Sequence, residues 1–178
     1  MTANSEDKLF KNISNEDVRI LLEMIDVDSV EVKIWTKELR LYDPKDYVPD
    51  IIMELDKINL ILELQSTPVD VNFSERALTY VAVGIRAKDN DKPINLVVLS
   101  TAEESKVVSF EFSEDSVFTY RVISLKDMDA DEIIKTVEEK INNGLEVNRR
   151  ELIYYALVPL MKDDIMDRNL RDFNNFLL

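Results

Sequence analysis

The sequence predicts an α/β protein in which a mixed β-sheet is flanked by helices. Three observations predict it. Residues 49–65 alternate as a two-stranded hairpin. A helical stretch over 72–88 separates that hairpin from the continuous apolar run 94–100. An amphipathic pattern fills 129–143. A strand, a helix and a second strand imply a right-handed crossover with parallel strands, while the hairpin is antiparallel, so the sheet is mixed. At 178 residues, with only two Gly and five Pro to mark a linker, the whole chain 1–178 is expected to form one domain.

The elements follow in order. Residues 1–12 are polar and expected to be frayed. Ser14-Asn15-Glu16-Asp17 offers cap chemistry before Val18, Ile20, Leu21, Leu22, Met24 and Ile25, so a helix is expected over 15–25. In 30–36, Val30, Val32 and Ile34 alternate with Glu31, Lys33 and Trp35, which predicts a strand with the valines and Ile34 buried. A charged loop follows over 37–48, with Asp43-Pro44 as its turn signal. After the hairpin, Thr67-Pro68 breaks the strand, and Asn72 with Glu75 three residues on predicts the start of a helix running to 88. The run 94–100 reads as a central strand buried on both faces.

Residues 107–112 and 117–125 alternate about a short turn and predict a second hairpin. Phe110, Phe112, Phe118 and Tyr120 form its aromatic row, read as packing, with base stacking as the other use of such a row. Ile133, Ile134, Val137 and Ile141 stripe the helix 129–143, with Asp129 or Asp131 as its cap and Gly144 beyond its end. Residues 149–161 read as a largely buried helix that Pro159 bends or ends. The tail 163–178 ends on apolar residues. It is expected to pair with another subunit in a homodimer or, as the family resemblance given below implies, to be cut short of a longer chain.

The first hairpin carries the chemistry. With a two-residue turn at Asp56-Lys57, Leu55 pairs with Ile58, Met53 with Leu60, Ile51 with Leu62 and Asp50 with Glu63. Opposed residues have Cβ atoms roughly 4.5–5.5 Å apart, so two carboxylates are expected side by side. Unpaired, they repel and one tends to keep its proton; a hard divalent cation such as Mg2+ (or Mn2+) relieves that. Gln65 follows on the same face. Arg76 and Tyr80, four apart, share one face of the next helix; that face serves either the site or the interior, with Arg76 bridging to a carboxylate.

Composition removes the alternatives. The chain contains no His and no Cys, which excludes histidine bases, Ser-His-Asp triads, thiol catalysis and disulfides. Chemistry must rest on carboxylates, Lys, Tyr, Ser or a metal they hold. No apolar run approaches the roughly 18 residues of a membrane span, and the polar start has no signal-peptide segment, so a cytoplasmic protein is expected. The net charge of −14 argues for only weak attraction to nucleic acid.

Asp50 at the end of one strand followed by Glu63-x-Gln65 on the next resembles the PD-(D/E)XK nuclease superfamily, and Pro49-Asp50 matches literally. Phe73-Ser74-Glu75-Arg76-Ala77-Leu78-Thr79-Tyr80, Lys92-Pro93-Ile94 leading to Val97-Val98-Leu99, and Ala156-Leu157-Val158-Pro159-Leu160-Met161 extend the likeness. Together they resemble the branch of recombination-promoting nucleases and transposases over roughly residues 36–162. The resemblance implies a restriction-endonuclease-like sheet and a Mg2+-dependent DNA endonuclease. In it Asp50 and Glu63 hold the metal, the Leu64 carbonyl is a further ligand, and Gln65 occupies the position usually held by Lys. It also implies an additional acid, for which Glu16, Glu23 and Glu38 are candidates, and an Arg76–Tyr80 face toward the site or the DNA. The alternative is a catalytically inactive interaction module with a nuclease-like fold and an acidic surface.

Overall fold

Strands β2 (Ile51–Glu54) and β3 (Asn59–Gln65) pair antiparallel, with Ile51 opposite Leu62 and Met53 opposite Leu60. The Leu55 N–H donates to the Ile58 carbonyl at 2.8 Å, closing the turn. This is the register the apolar alternation predicts. The computed structural model describes residues 15–35 and 49–162, so the expectations for 1–12, 37–48 and the tail lie outside the described residues. Contacts divide the chain into two units, Met1–Ile123 and Ser124–Leu178.

The first unit is α/β, with a mixed sheet of six described strands. β1 (Lys33–Ile34) is an edge strand paired antiparallel to β2. β3 runs parallel to β4 (Ile94–Ser100), with Leu62 opposite Val97 and Gln65 opposite Ser100. β5 (Lys106–Ser113) and β6 (Ser116–Ser124) form the second hairpin, with a bulge at Glu111–Ser113. The order is β1-β2-β3-β4-β6-β5, so β3 and β4 are central. Their apolar runs are buried on both faces, as expected for strands with neighbours on either side.

Helix α1 (Asn15–Met24) buries Val18, Leu21 and Leu22, and just beyond its end Ile25 is buried and accepts from Arg121 at its carbonyl at 3.1 Å. Helix α2 (Val71–Ala87) makes the β3–β4 crossover. Its buried stripe of Phe73, Ala77, Tyr80, Val81 and Gly84 follows the helical period and packs on Ile52, Ile61, Leu96 and Val98. Gly84 permits the close approach: a Cβ there would lie 3.0 Å from Ile94 Cδ1 and 3.2 Å from Ile52 Cδ1.

Two sequence expectations fail here. The α2 cap is Asp70, not Asn72; its carboxylate accepts the Phe73 N–H at 2.8 Å, which draws Asn72 into the first turn. The strand expected over 30–36 shrinks to two residues; Lys33 is exposed and Ile34 half-buried as the alternation predicts, but the two ends depart from it. Val30 is 77% exposed and Trp35 only 4% exposed. The Asp56 carboxylate takes the N–H groups of Val30 and Glu31 at 2.7 and 3.0 Å, in place of a strand ladder. The Trp35 N–H, by contrast, bonds Ile52 O at 2.8 Å and places the indole over the α2 layer.

The second unit contains a short 3-10 turn and two helices, α3 (Ala130–Asn142) and α4 (Arg149–Met161). Asp129 caps α3, Gly144 adopts a φ of 65° just beyond its end, and Asn148 with Glu151 forms a reciprocal capping box on α4. Lys140 pairs with Glu151 at 2.7 Å, tying the two helices. The α3 stripe is thinner than its sequence suggests, since Ile141 is half-exposed. Pro159 sits inside α4 without ending it before Met161.

Candidate functional site

The β2–β3 ladder ends at Ile51 and Leu62, and side chains continue it. The Asp50 N–H donates to Glu63 Oε2 at 2.9 Å, and the Leu64 N–H donates to Asp50 Oδ2 at 2.9 Å. Each carboxylate therefore caps the backbone of the opposite strand, and the exchange draws the two acids together. Leu64 N–H points toward β2, while Gln65 O accepts from the Thr101 N–H on the β4 side at 3.1 Å. Within a strand the C=O and N–H of one residue point the same way. The Leu64 carbonyl consequently lies on the Asp50 side of β3.

Helix α2 closes the site from above. Glu63 is 6% exposed, and the Tyr80 hydroxyl hydrogen-bonds its carboxylate. Burial and the charge of Asp50 push the Glu63 carboxyl up to about 8, against the opposing pull of the Asp50 N–H, Arg76 and Tyr80. Burial and the neighbouring Glu63 raise the Tyr80 hydroxyl as well, so it remains a donor. Arg76 Nη2 donates to Gln65 Oε1 at 3.2 Å, and its guanidinium lies 5.1 Å above the Phe73 ring. The Gln65 amide nitrogen donates to Thr67 Oγ1.

Asp50, Glu63, Gln65, Arg76 and Tyr80 are thus gathered on one side of the sheet. Glu16 and Glu23 are exposed on α1, and neither is among the groups acting on Glu63. Glu38 lies outside the described residues. Among the described residues, no group of three or more acids gathers as a metal-binding cluster. Arg76 forms no ion pair among the described residues, so the bridge to a carboxylate expected of an interior Arg is absent.

Two participants were not singled out by the sequence. Thr67 holds Gln65 from just beyond the end of β3, where Thr67-Pro68 reads first as a strand end. Trp35 stands opposite Ile52, on the face that carries Asp50, and its buried Nε1 has no hydrogen-bond acceptor among the described residues. No pattern in the sequence distinguishes that indole from a packing residue.

Two carboxylates and a strand carbonyl are hard oxygen donors and suit Mg2+ or Mn2+ better than a softer metal. Comparisons with protein-family models, curated proteins and solved structures find no match for this chain.

Proposed function

We infer that this protein is a Mg2+- or Mn2+-dependent DNA endonuclease of the PD-(D/E)XK kind, built on a restriction-endonuclease-like sheet and associated with transposition or recombination. The observation that carries the reading is the convergence of Asp50 and Glu63 at the open ends of β2 and β3, beside Arg76. Asp50 and Glu63 would hold the ion, with the Leu64 carbonyl on the same side of the strand. A bound divalent ion supplies an activated water and charge stabilisation at a scissile phosphate. Tyr80 holds the Glu63 carboxylate in place by a hydrogen bond, and the α2 layer excludes water from its buried side. Gln65 brings no positive charge to the site.

The net charge of −14 makes the expected affinity for DNA low. Calorimetry with Mn2+, followed by nicking of supercoiled plasmid, tests the reading. Binding and nicking are expected in the native protein and lost together in Asp50→Asn and Glu63→Gln; folded native protein that neither binds Mn2+ nor nicks overturns it.

A second reading is favoured by one observation. The reciprocal bonds of Asp50 and Glu63 to backbone N–H groups give the pair a structural task of its own. On that reading the protein is a catalytically inactive interaction module, and Mn2+ leaves its stability unchanged.

A further inference from the structure

We propose that the outer edge of β5 takes an extended, basic peptide segment of another protein as an added strand of the sheet. The inference is independent of the chemistry at Asp50 and Glu63.

β5 is an end strand of the sheet, and among the described residues β6 is its one neighbour. Alternate residues of such a strand turn their N–H and C=O groups away from the sheet, and those groups are a template for a further strand. Lys106–Glu111 pair one for one with β6, so the open run is regular and near the usual strand length of about six residues. The opposite end strand, β1, has two residues and offers no comparable run.

Proteins usually guard an open edge with Lys, Pro or a bulge. The run Lys106–Glu111 contains no Pro, and its Lys is turned to Glu103 in an ion pair. The bulge lies at Glu111–Ser113, where it ends the run rather than interrupting it. The side chains along the edge are apolar on both faces. Val107 is 65% exposed and shares one face with Val117, which is 56% exposed. Val108 and Phe110 occupy the other face, opposite Tyr120 and Phe118, and the half-exposed Phe112 ring lies 6.5 Å from that of Phe110. An added strand would cover these residues with its own alternate side chains.

Charge selects the occupant. Glu104, Glu111, Glu114 and Asp115 are exposed along the edge and at the hairpin tip, and Lys106 is the sole base between Glu103 and Asp115. A second copy would bring the same acids against this set and is disfavoured. The segment 163–178 is disfavoured too, since it carries four Asp against two Arg. A segment with β-branched side chains flanked by Lys or Arg matches the apolar seats and the acids together.

The test uses the full chain and a labelled peptide, Lys-Val-Thr-Val-Thr-Val-Lys. One control peptide has Glu at both ends, and a second is the basic peptide with its central amides N-methylated. Anisotropy gives affinity, amide exchange by NMR gives location, and sedimentation gives oligomeric state. The native protein is expected to bind the basic peptide at least about tenfold more tightly than either control. Alternate amides within Lys106–Glu111 should gain protection on binding. The double variant Glu111→Lys, Glu114→Lys should lose about tenfold for the basic peptide and gain for the acidic one.

No binding of the basic peptide overturns the proposal. So does equal binding of the methylated peptide, which would be adsorption by charge, or protection that appears away from β5. Outward amides of β5 already protected in the free protein overturn it as well: a dimer then assigns the edge to a second copy, and a monomer assigns it to another part of this chain. Should the double variant fail to fold, the three peptides on the native protein decide alone.

Discussion

Replacing Glu63 by Gln should change the pH dependence of stability more than any other single substitution in the sheet. In the folded protein without metal, burial and Asp50 hold the Glu63 carboxyl at about 8, against an ordinary value of 4.5. The folded state therefore binds this proton more tightly than the unfolded chain does. The resulting contribution to stability is complete below pH 4.5 and is lost as pH rises through about 8. That interval corresponds to about 5 kcal/mol, at about 1.4 kcal/mol per pH unit.

Gln carries no proton to lose, and its amide oxygen still accepts the Asp50 N–H. Urea unfolding in EDTA, at intervals from pH 5 to pH 9, reads the effect. The single Trp, buried in the same core at position 35, is the probe. The native protein should lose several kcal/mol between pH 5 and pH 9, and Glu63→Gln should hold nearly level. Millimolar Mn2+ should restore the native protein at pH 8 and leave the variant unaffected. Parallel pH profiles for the two proteins would refute the assignment of a proton to Glu63 and, with it, the buried charge conflict.

Other perturbations have signs set by the geometry. Tyr80→Phe removes a hydrogen bond that favours ionised Glu63, so the midpoint of the pH transition should move upward in the same urea series. Gly84→Leu should destabilise by about 1–3 kcal/mol, because even the first added carbon meets Ile94 and Ile52; a urea midpoint equal to native would contradict the close helix–sheet approach. Asp70→Ala should lower stability by about 1 kcal/mol and Asn72→Ala by less, since Asp70 is the residue that accepts the Phe73 N–H; thermal melts of the two variants decide which residue starts the helix.

Much of the sheet was legible because its signals were redundant. A two-residue turn and an apolar alternation on both strands agree on a single register for β2 and β3, and a one-residue slip would set Leu55 against Asn59, Leu60 against Glu54 and Ile51 against Glu63. The crossover helix and the run of β4 were legible for the same reason. The edge was not. The alternation of Val30, Val32 and Ile34 matches a strand, but nothing in it reveals that Asp56, distant in sequence, takes the backbone donors. The α2 cap was misjudged because Asp70 and Asn72 both bear cap chemistry, and the capping-box spacing favours the wrong one. At the site, the meeting of Asp50 with Glu63 follows from strand register and the pairing of Arg76 with Tyr80 from helical spacing. The link from Gln65 to Arg76 requires the packing of α2 on the sheet, which no local pattern encodes.

The exchange of carboxylate and backbone at the mouth of the hairpin makes Asp50 and Glu63 fasteners as well as acids. Cutting either back to Ala unclasps the two chain segments at the moment it removes the charge, so loss of function in such a mutant cannot be separated from loosening of the strands. Only amide isosteres leave the clasp closed. For the same reason, an evolutionary route that abandoned chemistry here would be expected to retain both side chains, and their presence in a distant sequence would be no guarantee of an active enzyme.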